Sequence, residues 1–286
     1  MPFSTLITCK ELVRHLSDPE WVIVDCRFVL ADSEAGRLAY LQAHIPGAGY
    51  AHLNEDLSGP VIAGKTGRHP LPEAETLSAT LSQWGIDSTV QVIAYDDASG
   101  AMAATRLWWL LRWLGHMAVS VLDGGWQAWL KENYPLRQGK ETPLPRTFIP
   151  KKAEWQKEAV SAAEIAVRLG QPSLLLFDSR TVERYRGEGE SIDPIAGRIP
   201  GAISAPYSEN LDSEGRFLPP EQLHMRFERL LGGAPAERAI FYCGSGVTAT
   251  HNLLALAHAG LGEARLYAGS WSEWITDPRR PVARGK

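Results

Sequence analysis

Of the residues able to do chemistry, Cys243 has the most telling neighbours. It follows an apolar run, Ala239-Ile240-Phe241-Tyr242, and opens the segment Cys243-Gly244-Ser245-Gly246-Val247-Thr248-Ala249. An amphipathic pattern from Val247 to Ala259 comes next, stopped by Gly260. The order predicted is strand, tight loop, helix. Such a loop turns successive main-chain N–H groups inward, and the start of the helix adds positive potential. A thiol seated there is favoured as the reactive thiolate. A lone cysteine is more often a small core residue, but two glycines and two hydroxyls in one loop are poor core material.

Several reactions could use that thiolate. Phosphate ester hydrolysis needs an arginine at the end of a Cys-x5-Arg loop, and the sixth residue after Cys243 is Ala249. Dithiol chemistry needs a resolving cysteine, and Cys9 and Cys26 both lie in the other half of the chain. Acyl transfer needs a histidine partner, for which His69 and His251 are available. A ring of inward N–H groups is better suited to holding an anion on the cysteine itself. That points to a persulfide, Cys243–S–S⁻, stabilised by the amides of Gly244, Ser245, Gly246, Val247 and Thr248 and by the Ser245 and Thr248 hydroxyls. A thiol or cyanide would then remove the sulfur, with ping-pong kinetics.

The elements that must position this loop occur twice. Val22-Ile23-Val24-Asp25-Cys26-Arg27 is matched by Leu175-Leu176-Phe177-Asp178-Ser179-Arg180, and His44-Ile45-Pro46-Gly47-Ala48 by Arg198-Ile199-Pro200-Gly201-Ala202. Val92 to Asp96 is matched by Ile240 to Cys243, and Asp123-Gly124-Gly125-Trp126 by Gly269-Ser270-Trp271. The offset is roughly 150 residues, the size of a domain. In the first half, helices are expected over 77–84 and 101–114 and strands over 91–95 and 118–122. Short strands alternating with helices predict two α/β domains, each a mainly parallel sheet flanked by helices. Such sheets carry their active residues at the C-terminal ends of strands, where Cys243 falls. The expected division is a non-catalytic domain over 1–137, with Asp96 in the place of the cysteine. A proline-rich ordered linker follows over 138–157, then a catalytic domain over 158–286. Ligand sites favour domain interfaces, so the first domain would wall the site.

These paired segments resemble the tandem-domain rhodanese family of sulfurtransferases over nearly the whole chain. The loop Cys243-Gly-Ser-Gly-Val-Thr is similar to the 3-mercaptopyruvate branch; thiosulfate sulfurtransferases typically carry Cys-Arg-Lys-Gly-Val-Thr, with two cations beside the thiol. The resemblance implies that Arg184, six residues after Asp178, clamps the anion of the donor. It also implies that Ser245 and His69 move protons, as two members of a Ser-His-Asp triad. The Asp position is Asn54, with Asp56 two residues on. The branch's second arginine is absent from 188–197, and Arg198 replaces the histidine of the following element. A thiosulfate-preferring enzyme and a non-enzymatic persulfide carrier are the alternatives.

Other side chains suggest packing before chemistry. His44 and His116 read as capping or core residues, and Trp108, Trp109 and Trp113 as core or inter-domain contacts. Asp25 and Asp178 should anchor backbone or Arg27 and Arg180. Trp271 and Trp274 could wall a pocket, and 276–286 reads as a solvated tail. The chain has 286 residues, 44% apolar and 22% charged, with a net charge of −4. Two globular domains fit that length, and nothing in the charge suggests nucleic acid or an anionic membrane. No secretory leader or membrane-crossing run is evident, and three scattered cysteines suggest neither disulfides nor zinc. The expectation is a cytoplasmic enzyme without metal or organic cofactor. Its partners would be a small anionic donor and a thiol or cyanide acceptor, with a thioredoxin-like reductant as a further one.

Overall fold

The computed structural model describes residues 2–151 and 159–285. They form two compact units. One comprises the described residues of Met1–Gly59, Pro72–Glu154 and Ser213–Arg216; the other those of Pro60–Leu71, Trp155–Asp212 and Phe217–Lys286. The division therefore differs from a single cut in the linker: residues 60–71 fold with the second unit and 213–216 with the first.

The first unit is built on β1 (Leu6–Ile7), β2 (Trp21–Asp25), β3 (Gly49–Tyr50), β4 (Gln91–Tyr95) and β5 (Val119–Leu122), in the order β1-β5-β4-β2-β3. Every pairing is parallel. The second has β6 (Leu175–Asp178), β7 (Ile203–Ser204), β8 (Ala239–Tyr242) and β9 (Arg265–Leu266), in the order β7-β6-β8-β9, again all parallel. The central strands β4 and β8 are buried at every position. A parallel sheet covered on both faces requires this, and it explains why both strands read as unbroken apolar runs.

The duplication holds at the level of atoms. Asp25 lies opposite Tyr95 in the β2–β4 ladder, and Asp178 opposite Tyr242 in β6–β8. Arg27 Nη2 donates to Asp25 at 2.6 Å and to Ala43 O at 2.7 Å; Arg180 Nη2 donates to Asp178 at 2.7 Å and to Gly197 O at 2.6 Å. Arg27 stacks on Trp126 and Arg180 on Trp271. Each pair ties the end of an inner strand to the neighbouring loop, as expected for Asp25 and Asp178. Trp271 and Trp274 are fully buried in the second core; their indole N–H groups donate to Ile195 O and Pro281 O.

Trp108 and Trp109 are buried in the first unit, where Trp108 Nε1 donates to Ser4 O. Residues 138–151 of the linker lie on the first unit, through Arg146 to Pro19 O and Glu20 and through Lys151 N to Leu114 O. The remainder of the linker, 152–158, lies outside the described residues. The C-terminal tail is largely exposed, as expected, and is also anchored. Ala283 and Arg198 exchange main-chain hydrogen bonds, and Gly285 N donates to Arg186 O.

Candidate active site

Cys243 stands one residue beyond β8, and the Ala249–His258 helix follows the loop. The loop is pinned by its own backbone. Cys243 N donates to Ser270 Oγ at 3.0 Å, Trp271 N to Cys243 O at 3.0 Å and Ser272 N to Gly244 O at 2.9 Å. Gly246 has φ +75°, and a Cβ there would lie 2.1 Å from Ala268 O, so only glycine fits. Among the described residues, the main-chain N–H groups of Gly244, Ser245, Val247 and Thr248 donate to no other protein group. Thr248 spends no side-chain bond on capping the helix. Residues 243–247 are buried, Cys243 being 2% exposed.

In the first unit the corresponding loop is filled by a side chain of its own. Asp96 stands one residue beyond β4 and is fully buried. Its Oδ1 accepts from the N–H groups of Ala98 and Gly100 at 2.9 and 2.8 Å, and its Oδ2 from those of Met102, Ala103 and Ala104 at 3.1, 3.0 and 3.1 Å. Five main-chain donors thus converge on one resident carboxylate. The helix itself begins only at Ala104, later than the apolar periodicity predicts, because the preceding N–H groups are turned to Asp96 instead.

Ser245 Oγ and His69 Nδ1 are 2.8 Å apart, both buried. The segment carrying His69 is held to the second unit by Arg68 N donating to Ser272 Oγ at 3.1 Å. Gly67 is required there, since a Cβ would lie 2.6 Å from Gly269 O. Arg184 is also present, on the short helix Val182–Arg186 capped by the Thr181 hydroxyl. An ideal Cβ on Gly244 would be 3.5 Å from Arg184 Nη2, 3.6 Å from Arg184 Nη1 and 3.0 Å from Arg68 Nη2. Two guanidinium groups therefore meet over the glycine next to Cys243. The second, Arg68, is not found by searching 188–197; its signal in the sequence is its adjacency to His69.

Two acids face these arginines. Asp193 bridges them, Oδ1 accepting from Arg68 Nη1 and Oδ2 from Arg184 Nη2, the latter at 2.8 Å. Glu190 accepts from Arg184 Nε at 3.0 Å and from the N–H groups of Ile192 and Asp193. Burial pushes the Glu190 carboxyl up, but the Arg184 hydrogen bond and these two N–H groups outweigh it and hold it below its ordinary value. The net result at the mouth of the site is two cations and two anions, with Arg68 Nη2 and Arg184 Nη1 left facing Gly244.

Other candidates are accounted for elsewhere. Arg198 Nη1 donates to Tyr185 O and Gly285 O, which anchors the tail. His251 stacks on Phe217 and pairs with Asn210 in the core of the second unit, so the structure gives it no place beside Cys243 as an acyl-transfer base. Asp56 belongs to the first unit and accepts from His52 N at 2.7 Å. His44 stacks on Tyr40, and His116 is buried against Ala118 O. Cys9 and Cys26 are buried, with the Cys9 thiol pushed up to about 12 by burial, and both are poorly suited to redox exchange. Glu34, His52 and Glu55 could approach one cation. However, His52 Nδ1 accepts from Glu55 N and Nε2 faces Ser33 O at 3.0 Å, so Nε2 carries the hydrogen and neither ring nitrogen is free to ligate.

Cys243 thus opens a loop with four main-chain N–H groups unpaired among the described residues, a hydroxyl–imidazole pair at Ser245 and two guanidinium groups at Gly244. The rhodanese-like domain model matches residues 8–132 and 161–277, and the chain belongs to that family. A "Probable 3-mercaptopyruvate sulfurtransferase" of Pseudomonas aeruginosa is 51% identical over the full length of both chains. A "Putative thiosulfate sulfurtransferase" of Mycobacterium tuberculosis is 39% identical over 98% of this chain and 97% of its own. Among solved structures, the 3-mercaptopyruvate sulfurtransferase of Leishmania major superposes with a TM-score of 0.84 at 32% identity, covering 97% of this chain and 75% of that one. The protein is a tandem rhodanese-type sulfurtransferase. Among the described residues no helix is long and apolar enough to cross a membrane.

Proposed function

We propose that the protein takes the sulfur of 3-mercaptopyruvate onto Cys243 and passes it to a thiol or to cyanide. The unfilled N–H donors of Gly244, Ser245, Val247 and Thr248 carry this reading, because the corresponding loop in the first unit holds an anion, Asp96. The Cys243 thiolate attacks the donor sulfur and the C–S bond breaks. Its electron pair leaves on the carbon as the enolate of pyruvate, and Cys243 becomes a hydropersulfide. The persulfide proton moves to the enolate, with Ser245 and His69 as the relay, leaving pyruvate and Cys243–S–S⁻. Arg184 and Arg68 fork the donor carboxylate through their free edges. An acceptor thiolate, on a small molecule or on a thioredoxin-like reductant, then removes the outer sulfur. The reading includes a cytoplasmic location.

Intact mass tests this. Treatment with 3-mercaptopyruvate should add one sulfur, ~32 Da, lost on cyanide and absent in Cys243→Ala. A mass that never changes with any small donor overturns the proposal. Donor preference follows from kcat/KM for 3-mercaptopyruvate and thiosulfate, and a clear excess for thiosulfate would assign the enzyme to the other branch.

A further inference from the structure

We infer that Asp193 sets the charge of the donor: its carboxylate, held between Arg68 and Arg184 beside Gly244, admits a monoanion and discriminates against a dianion. This rests on the sulfurtransferase reading above.

Asp193 is buried to 1% side-chain exposure, and its two oxygens are divided between the two guanidinium groups. Glu190, at 3% exposure, takes a further edge of Arg184. Without these acids the mouth of the site would carry two positive charges. With them the sum is zero, while two N–H edges remain directed at Gly244. Such a site offers directional hydrogen bonds without a strong net field. A single carboxylate or sulfonyl group can use the bonds. A second charge on the donor gains little from the arginines and meets the Asp193 carboxylate nearby, in surroundings where charges are weakly screened. A merely structural buttress would affect all donors alike.

The test uses two sulfur donors of nearly equal shape and different charge, thiosulfate and methanethiosulfonate. Each transfers its outer sulfur to the Cys243 thiolate, and the S–S electron pair departs with sulfite or methanesulfinate. With cyanide as acceptor, the native enzyme should favour the monoanion in kcat/KM by about tenfold. In Asp193→Asn that preference should vanish or reverse, and Asp193→Glu should restore it. Equal kcat/KM for the two donors in the native enzyme overturns the inference without need of a variant. So does an Asp193→Asn enzyme in which both donors slow by the same factor. Absence of any persulfide in the native enzyme by intact mass would overturn the sulfurtransferase reading as well, whereas a persulfide that forms without charge preference sinks the inference about Asp193 alone.

Discussion

The hydroxyl–imidazole contact between Ser245 and His69 separates two demands on the site. A 3-mercaptopyruvate carbon leaves as an enolate that needs a proton, whereas sulfite leaves without one. His69→Ala should therefore lower kcat for 3-mercaptopyruvate by ~10²-fold or more while sparing thiosulfate. A parallel loss with both donors would mean that His69 only holds the loop. Glu190 gives a pH signature at the same scale. Its carboxyl lies below the ordinary value of 4.5, so the unfolded chain takes up that proton first. The stability it contributes is complete above about pH 4.5 and is lost as pH falls through the lowered value. Urea midpoints should drop over that range, and Glu190→Gln should drop less steeply. Cys243, Ser245, His69 and Arg184 could be put forward from sequence because each sits among near neighbours in a motif. Arg68 and Asp193 were not: their partnership spans 125 positions, and no local pattern announces it.

At the scale of elements, strands read more cleanly than helices. The 91–95 strand is found as predicted, because a strand buried on both faces is an uninterrupted apolar run. The helix expected over 77–84 spans Ala74–Gln83, and that over 101–114 is Ala104–Trp113. The apolar period continues through the loop before the second of these, but its N–H groups serve a side chain instead of the helix. Removing that side chain tests the idea. Asp96→Ala strands five converging donors in a buried loop and should destabilise the protein by about 3 kcal/mol or more, read from denaturant unfolding. In the Cys243 loop, Gly246→Ala forces a Cβ against Ala268 O at a left-handed backbone position. Persulfide formation should fall far below the native rate, and a fully active Gly246→Ala enzyme would show that the loop geometry is not needed.

For the whole molecule, composition and the internal repeat conveyed two parallel α/β domains, because a duplication preserves the order of short motifs. They did not convey how the backbone is shared out. Residues 60–71 carry both Arg68 and His69, yet they leave the first half of the sequence to fold with the second unit. A fragment beginning at 158 would keep Cys243, its loop and Ser245 but lack His69 and the Arg68 guanidinium. Its turnover of 3-mercaptopyruvate should be close to nil, and adding a peptide of residues 58–72 is the measurement that distinguishes a missing segment from a misfolded fragment.

The ancestral copies have thereby become mutual hostages. Each surrendered a stretch of main chain to the other, so a gene break at the old junction would no longer release two independent proteins. Recombination could shuffle the halves of such an enzyme only by carrying a dozen residues across the seam.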